Sequence, residues 1–345
     1  MNFTDPVRST PASIPGNGFD VLSRALSAQS QALKAFLDEQ IKAFEPPIQP
    51  LVHYCLAHPG KRLRPMLLFA SVTEAQRKAC GPDLLRAAAV LELIHLATLV
   101  HDDIIDQATL RHHMPSVPQQ WGPKVAVLLG DALFAHALVL ASQFADPCVC
   151  RWTAQATRLL CCGEIQQTLS HEADRIPTIN DYLACIQAKT ATLFELSCKL
   201  AHYLRGDKPE QRASLEGFGK HLGIAYQLFD DALDVFGHES EVGKTLGTDF
   251  KTYKYTLPVL LLMEALPGAE RAKLLQGMLQ GTVTPQACTD LMRQAGVMPK
   301  VLYYFIHHID QARAFLEDLD EVNKMLLSGL LDAVEIRMRS CLDSF

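Results

Sequence analysis

The sequence predicts an all-α fold built as a single helical bundle. Three observations carry that prediction. From about Phe19 onward, long stretches rich in Ala, Leu, Gln, Glu and Lys recur with the periodicity of helices. Short Gly/Pro punctuation separates them: "EPPIQP", "AHPGKRLRP", "CGPD", "HHMPSVPQQWGP", "RGDKPE" and "LPGAE". Alternating apolar and polar runs bounded by turns, the mark of half-buried strands, are scarce. A chain of 345 residues, 48% hydrophobic and 20% charged, can bury a large core.

Taken in order, residues 1–18 ("MNFTDPVRSTPASIPGNG") are rich in Ser, Pro, Gly and Asn. They are expected to be disordered, and they lack the apolar stretch of a signal peptide. Residues 19–345 make up the one domain. Four of its helical segments, 84–100, 125–142, 217–229 and 256–265, are apolar around most of their circumference, which puts them inside the bundle rather than on it. The run 125–142 has nearly the composition of a membrane span. Asp131 and His136 interrupt it, and an acid at mid-membrane costs about 3 kcal/mol, so it reads as a buried helix and no transmembrane segment is expected. The net charge is −6 with no basic stripe, which argues against a nucleic-acid partner. Ten cysteines, with no Cys-x-x-Cys pair and no secretory signal, read as reduced thiols of a cytoplasmic protein.

The apolar run that precedes "LVHDDIID" ends in three carboxylates. On a helix, Asp102 and Asp106 are four residues apart and Asp103 and Asp106 three, so all three share one side and repel one another. A divalent cation relieves that repulsion, and aspartates without His or Cys suit a hard ion such as Mg²⁺. One such cluster would be suggestive, and the chain has two. "QLFDDALDVFG" repeats the spacing with Asp230, Asp231 and Asp234, again after an apolar helix. Mg²⁺ binds carboxylates together with substrate phosphates, so two facing clusters predict a polyphosphate ligand. Cations stand near both clusters in sequence. "GKRLRP" supplies Lys61, Arg62 and Arg64, Arg111 follows the first cluster, "AKT" supplies Lys189 and Thr190, and Lys244, Lys251 and Lys254 follow the second. No GxxxxGK[ST] is present, which excludes a P-loop nucleotide site.

Together, "GKRLRP", "ELIHLATLVHDDIID", "LLGDALFAHA", "GEIQQ", "KTATLFE", "GIAYQLFDDALDVFG" and "GKTLGTDFKTYKYTLP" resemble the trans-isoprenyl diphosphate synthases, the polyprenyl synthetases. The resemblance runs in order from about residue 20 to the C-terminus. It implies the isoprenoid synthase fold with a deep central cavity, usually as a homodimer. It also implies an activity: isopentenyl diphosphate is added head-to-tail to an allylic diphosphate. Carried over by motif, Asp102, Asp103 and Asp106 would hold two Mg²⁺ ions, with Asp103 in support. Asp230, helped by Asp231 and Asp234, would hold a third. Arg111, Lys189, Thr190, Gln227, Lys244 and Lys254 would contact the allylic diphosphate or its metals, and Lys61, Arg64 and His95 would bind isopentenyl diphosphate. By the same resemblance the departing diphosphate takes the proton, so no protein base is assigned. The chain departs from the family where two arginines and a glycine are usual and it reads Arg111, His112, His113. His112 would replace a cation of the isopentenyl diphosphate site with a group only partly charged at neutral pH.

The residue types fit that chemistry. Cations stabilise a diphosphate leaving group as its charge develops, and apolar walls keep water from a carbocation. Other readings are a short-chain synthase, a non-catalytic partner subunit, and a class I terpene cyclase. A non-catalytic subunit would tend to lose the aspartates, and a cyclase has no use for an isopentenyl diphosphate site. Product length is read from the helix below the aspartates. Thr98 and Ala97 stand four and five residues before Asp102, about one turn or 6–7.5 Å down. The small Ala97 leaves that level open, and Phe134 is a candidate floor. The predicted product is therefore longer than farnesyl, with about five to nine isoprene units at roughly one unit per turn.

Overall fold

The computed structural model describes residues 18–58, 60–111, 114–172, 176–206, 212–237, 254–317 and 319–343. The segment expected to be disordered lies outside these residues except for Gly18, which starts the first helix. The described chain is helical throughout, apart from one two-residue hairpin, as the sequence predicts.

The N-terminal helices α1 (Gly18–Ala25), α2 (Ser27–Gln40), α3 (Gln49–Ala57) and α4 (Leu63–Ala70) lead to the long α5 (Glu74–Ile105). A capping box starts α5. The Thr73 side chain accepts from the Gln76 amide, and the Gln76 side chain accepts from the Thr73 amide. The break expected at "CGPD" is instead a kink inside α5. Gly81 adopts φ 25°, ψ −103°, and Pro82 begins the second helical run, where its missing N–H costs nothing. Beyond the kink, Ala87, Ala88, Ala89, Val90, Leu91 and Leu93 are fully enclosed, so α5 runs through the core.

A hairpin follows, β1 (Leu110–Arg111) with β2 (Met114–Pro115), and then α6 (Val117–Trp121) and α7 (Pro123–Ser142). Helix α7 packs closely along α5, and Gly130 makes the crossing possible. A Cβ there would sit 2.1 Å from Nε2 of His101. The expectation that 125–142 lies wholly inside the bundle is not met. Val127, Leu128 and Val139 are exposed, so α7 buries one face and leaves an apolar face open.

Helix α8 (Cys148–Glu172) and α9 (Ile179–Ile186) lead through a π-helical turn at Gln187–Ala191 into α10 (Thr192–Arg205). Helix α11 (Arg212–Phe236) packs against α10 at Gly223, where an added Cβ would meet the Ala191 Cα at 2.5 Å. The remaining helices are α12 (Leu257–Ala265), α13 (Gly268–Leu279), α14 (Pro285–Gln294), α15 (Val297–Ala314) and α16 (Glu321–Asp343). Helix α16 returns to α4 through the buried Asn323, whose amide donates to the Ala70 carbonyl. All ten cysteines are free thiols, in keeping with the reduced state read from their spacing.

Candidate active site

Asp102, Asp103 and Asp106 occupy the last turn of α5 and its cap, where Asp106 closes the helix at φ −82°, ψ 0°. Gln107 then takes a left-handed φ of 50° and turns the chain away. Carbonyl groups give a helix C-terminus a partial negative charge, so three carboxylates there are unfavourable without cations. Two of them have cations in place. Arg111, returned by the hairpin, donates through Nε to Asp103 Oδ1 at 3.0 Å, and its Nη2 donates to the same oxygen. Lys254 Nζ lies 3.0 Å from Asp106 Oδ1. Asp103 is only 2% exposed, so this pair is shielded from water on the carboxylate side. Asp102 is pushed up to about 6, chiefly by burial. Glu164 and Asp106 push the same way, and Lys189 and Arg111 pull against them.

The π-helical turn at 187–191 reaches both clusters. Lys189 Nζ pairs with Glu164 of α8 and donates to Gln167 Oε1 at 3.2 Å. The next residue, Thr190, donates from Oγ1 to Gln227 Oε1 of α11 at 2.7 Å. Gln227 Nε2 in turn donates to Asp231 Oδ1 at 2.6 Å, and the Tyr182 hydroxyl of α9 donates to Asp231 Oδ2 at 2.5 Å. A π-turn inserts an extra residue into a helix and so redirects neighbouring side chains. Here it aims Lys189 toward Asp102 and Thr190 toward the second cluster.

In that second cluster Asp231 and Asp234 are 4% and 5% exposed, and Asp230 is half-buried. Lys61 belongs to the same neighbourhood. Burial and then Arg337 of α16 lower its pKa, and Asp230 raises it. Arg64 holds its guanidinium 4.9 Å from the Phe194 ring centroid. His95, half-buried, projects from α5 one turn after Glu92. The structure thus gathers Asp102, Asp103, Asp106, Arg111, Lys189 and Lys254 around one cluster. Thr190, Gln227, Asp231 and Tyr182 join in one chain of hydrogen bonds at the other. Lys244 and His112, two further residues singled out from the sequence, lie outside the described residues.

The chain-length positions Ala97, Thr98 and Phe134 have different surroundings. Ala97 is fully buried, whereas Thr98 keeps some accessible surface and donates from Oγ1 to the His95 carbonyl at 2.7 Å. At about 100° per residue, Thr98 is about 40° round the helix from Asp102 and Ala97 about 140°. Ala97 therefore points away from the aspartate face. Phe134 packs its ring 5.7 Å from that of His101, level with the aspartates rather than a turn or two below them.

Four residues near the site escaped sequence reasoning: Glu164, Gln167, Tyr182 and Glu92. "GEIQQ" contributed to the resemblance, yet spacing alone gave Glu164 and Gln167 no partner. Tyr182 had no sequence signal, and Glu92, though it opens "ELIHLATLVHDDIID", was given no partner, because the partners of both stand on other elements.

Residues 45–294 match the family model described as polyprenyl synthetase. The chain belongs to the polyprenyl synthetase family. It is a prenyltransferase, and relatives agree along nearly its whole length. A nonaprenyl diphosphate synthase of Mycobacterium tuberculosis is 30% identical over 329 residues, covering 94% of this chain and 97% of that protein. The octaprenyl diphosphate synthase of Escherichia coli is 32% identical over 239 residues, 69% of this chain and 73% of its own. The crystal structure of a decaprenyl diphosphate synthase from Rhodobacter capsulatus superposes with a TM-score of 0.84 at 32% identity, covering 93% of this chain and 99% of that one. A polyprenyl synthase from Caulobacter crescentus, complexed with calcium and isoprenyl diphosphate, superposes with a TM-score of 0.83 at 29% identity, covering 95% and 99%.

Proposed function

We propose that this polyprenyl synthetase condenses isopentenyl diphosphate with an allylic diphosphate, head to tail, to an all-trans polyprenyl diphosphate longer than farnesyl. The observation that carries the reading is the 187–191 turn, whose adjacent residues Lys189 and Thr190 reach toward the two aspartate clusters. The names of the hepta-, octa- and nonaprenyl diphosphate synthases among the relatives support the product class.

The donor set fits Mg²⁺. It is made of carboxylates, and among the described residues no three His, Cys, Asp or Glu side chains form a cage for a metal by themselves. Mg²⁺ is commonly held by one or two carboxylates and completed by phosphate oxygens and water. Asp102 and Asp106 on α5, and Asp230 with Asp234 on α11, are the carboxylates for about three ions. Bound there, Mg²⁺ neutralises the charge that develops on the departing diphosphate. The protein's own cations act on the same charge. Arg111, Lys189 and Lys254, with Lys244, donate to the allylic diphosphate, and Thr190 and Gln227 fix its position. Asp103 orients Arg111, and Asp231 orients Gln227. Lys61, Arg64 and His95, with His112, hold isopentenyl diphosphate so that its double bond faces the allylic carbon. The apolar face of α5 excludes water from the cation. The allylic C–O bond breaks with its electron pair going to the diphosphate, and the isopentenyl double bond attacks the resulting carbocation. A proton from the isopentenyl unit leaves with the diphosphate, and the lengthened product occupies the allylic site for the next cycle.

The open apolar face of α7, with Leu159, Ile165 and Leu169 of α8 also exposed, fits a homodimer interface. The free thiols fit a reducing cytoplasm. Purified protein incubated with farnesyl diphosphate, Mg²⁺ and labelled isopentenyl diphosphate should yield labelled polyprenyl diphosphates of more than three isoprene units. No label in product, or an unlabelled cyclic hydrocarbon, refutes the reading in favour of an inert subunit or a terpene cyclase. Light scattering should give twice the chain mass, and a monomer at micromolar concentration removes the dimer.

A further inference from the structure

Glu92 is a buried carboxylate to which the proposed reaction gives no task. It projects from α5 at 3% exposure, ten residues before Asp102, and faces the loop that carries Lys61, Arg62 and Arg64. Its Oε1 lies 3.3 Å from Arg62 Nε, and both side chains are nearly closed to solvent at 4% and 12%. Glu92 Oε2 and Arg62 Nε are both buried with no hydrogen-bond partner, so the two side chains meet as an ion pair rather than through a hydrogen bond. An isolated carboxylate in such a place is strongly disfavoured: burial pushes Glu92 above the usual carboxylate range, and Arg62, then Arg64, pull against it.

Arg62 is held in an unusual conformation. Its backbone is left-handed at φ 48°, ψ 43°, immediately before α4 begins at Leu63. A residue with a Cβ avoids this region unless its surroundings enforce it. The Glu92 contact is a force of that kind, because it pulls the Arg62 side chain inward. Two residues later, Arg64 takes another course. Its guanidinium lies over the Phe194 ring, buried as well, and feels the Glu92 charge without forming the direct pair that Arg62 makes. Lys61, on the other side, is exposed. Of the three cations of this segment, Arg62 is the one within ion-pair distance of Glu92, Arg64 rests against Phe194, and Lys61 is the most exposed.

We propose that Glu92 is a positioning residue for the isopentenyl diphosphate site: by engaging Arg62 it sets the left-handed turn that leaves Lys61 and Arg64 facing the substrate. The inference rests on the proposed assignment of Lys61 and Arg64 to that substrate. Arg62 on this account is a pin and not a diphosphate ligand.

The test is steady-state kinetics with each substrate varied in turn, plus thermal unfolding. Glu92→Gln keeps the volume and removes the charge. It should raise KM for isopentenyl diphosphate about tenfold, the size of one charge-assisted contact, with little change in KM for the allylic diphosphate. Arg62→Gly keeps the backbone's freedom to turn left and removes the pin, and it should act on the same KM. Since both changes break one interaction, the double variant should be no worse than the more affected single variant. A lower KM for isopentenyl diphosphate in Glu92→Gln would mean that Glu92 masks a substrate-binding Arg62, and would overturn the proposal. So would effects of the two variants that multiply, or equal shifts in both KM values. If Glu92→Gln does not fold, Glu92→Asp, which shortens the reach to Arg62, is read by the same criteria. Lys61→Ala and Arg64→Ala isolate the underlying assignment. If neither alters KM for isopentenyl diphosphate, that assignment fails; if both raise it while Glu92→Gln does not, only the role of Glu92 fails.

Discussion

The two aspartate clusters share a spacing, and each sits near the C-terminal end of an apolar helix, yet their surroundings differ. At the end of α5, Asp103 and Asp106 meet Arg111 and Lys254, long cationic side chains from separate parts of the chain. On α11, Asp231 receives hydrogen bonds from uncharged donors, Tyr182 and Gln227, at 2.5 and 2.6 Å. A cation offsets a carboxylate's charge, whereas a neutral donor fixes its orientation and leaves the charge largely in place. Among the described residues, then, Asp103 and Asp106 of the first cluster are paired with cations, whereas Asp231 of the second is held by neutral, orienting donors. Under the proposed function, the cations around the first cluster can transfer to a diphosphate, and the second is a fixed platform. Between them the 187–191 turn couples the halves.

The largest effect should come from removing one proposed metal-holding carboxylate of each cluster. Asp102→Ala and Asp230→Ala should each lower kcat by about three orders of magnitude, the scale seen when a main electrostatic stabiliser is lost. EDTA should abolish turnover, and Mg²⁺ should restore it. If either variant retains full kcat, its cluster has no part in the chemistry and the comparison has no functional content.

A smaller effect separates the helices. If product grows along α5, bulk added on the aspartate face should shorten it. Thr98→Phe should move the product distribution toward farnesyl while the first condensation continues. Ala97→Phe, buried and about 140° from Asp102, should instead disturb packing and lower Tm. Chromatography of labelled products from both variants decides. Shortening by Ala97→Phe and none by Thr98→Phe would restore Ala97 as the limiting level.

Much of this was legible in the sequence, and the rest was not, for physical reasons. Apolar runs such as 84–100 and 217–229 signalled buried helices because burial on all sides removes polar residues from every face. The aspartates were legible because like charges three and four residues apart need an explanation. What stayed hidden depends on partners far away in sequence. Asp231 and Tyr182 are 49 residues apart, and no periodicity connects them. The kink at Gly81 read as a break, since Gly and Pro together interrupt the pattern whether the helix stops or bends. The open face of α7 read as interior because composition cannot distinguish a core from an apolar surface awaiting a partner.

The smallest effect is also the sharpest on the comparison, because it predicts opposite signs for the two clusters in EDTA-treated protein. Burial pushes Asp102 up to about 6 in the fold, from about 3.8 in the unfolded chain. Between those values the folded state binds the extra proton, so this group's contribution to stability falls as pH rises through about 4 to 6. At pH 7.5 its charge opposes folding. Asp102→Asn removes that charge at constant shape and should raise Tm, by roughly 2 °C per kcal/mol relieved, with the gain shrinking below pH 5. Asp231→Ala does the reverse. It strands the buried Tyr182 hydroxyl, at about 1–3 kcal/mol, and the half-buried Gln227 amide at less, and should lower Tm at every pH between 5 and 8. Calorimetry in EDTA at pH 5 and pH 7.5 measures both. Equal destabilisation by the two variants would mean that both clusters are structural in the same sense, and the contrast between the two clusters would not stand.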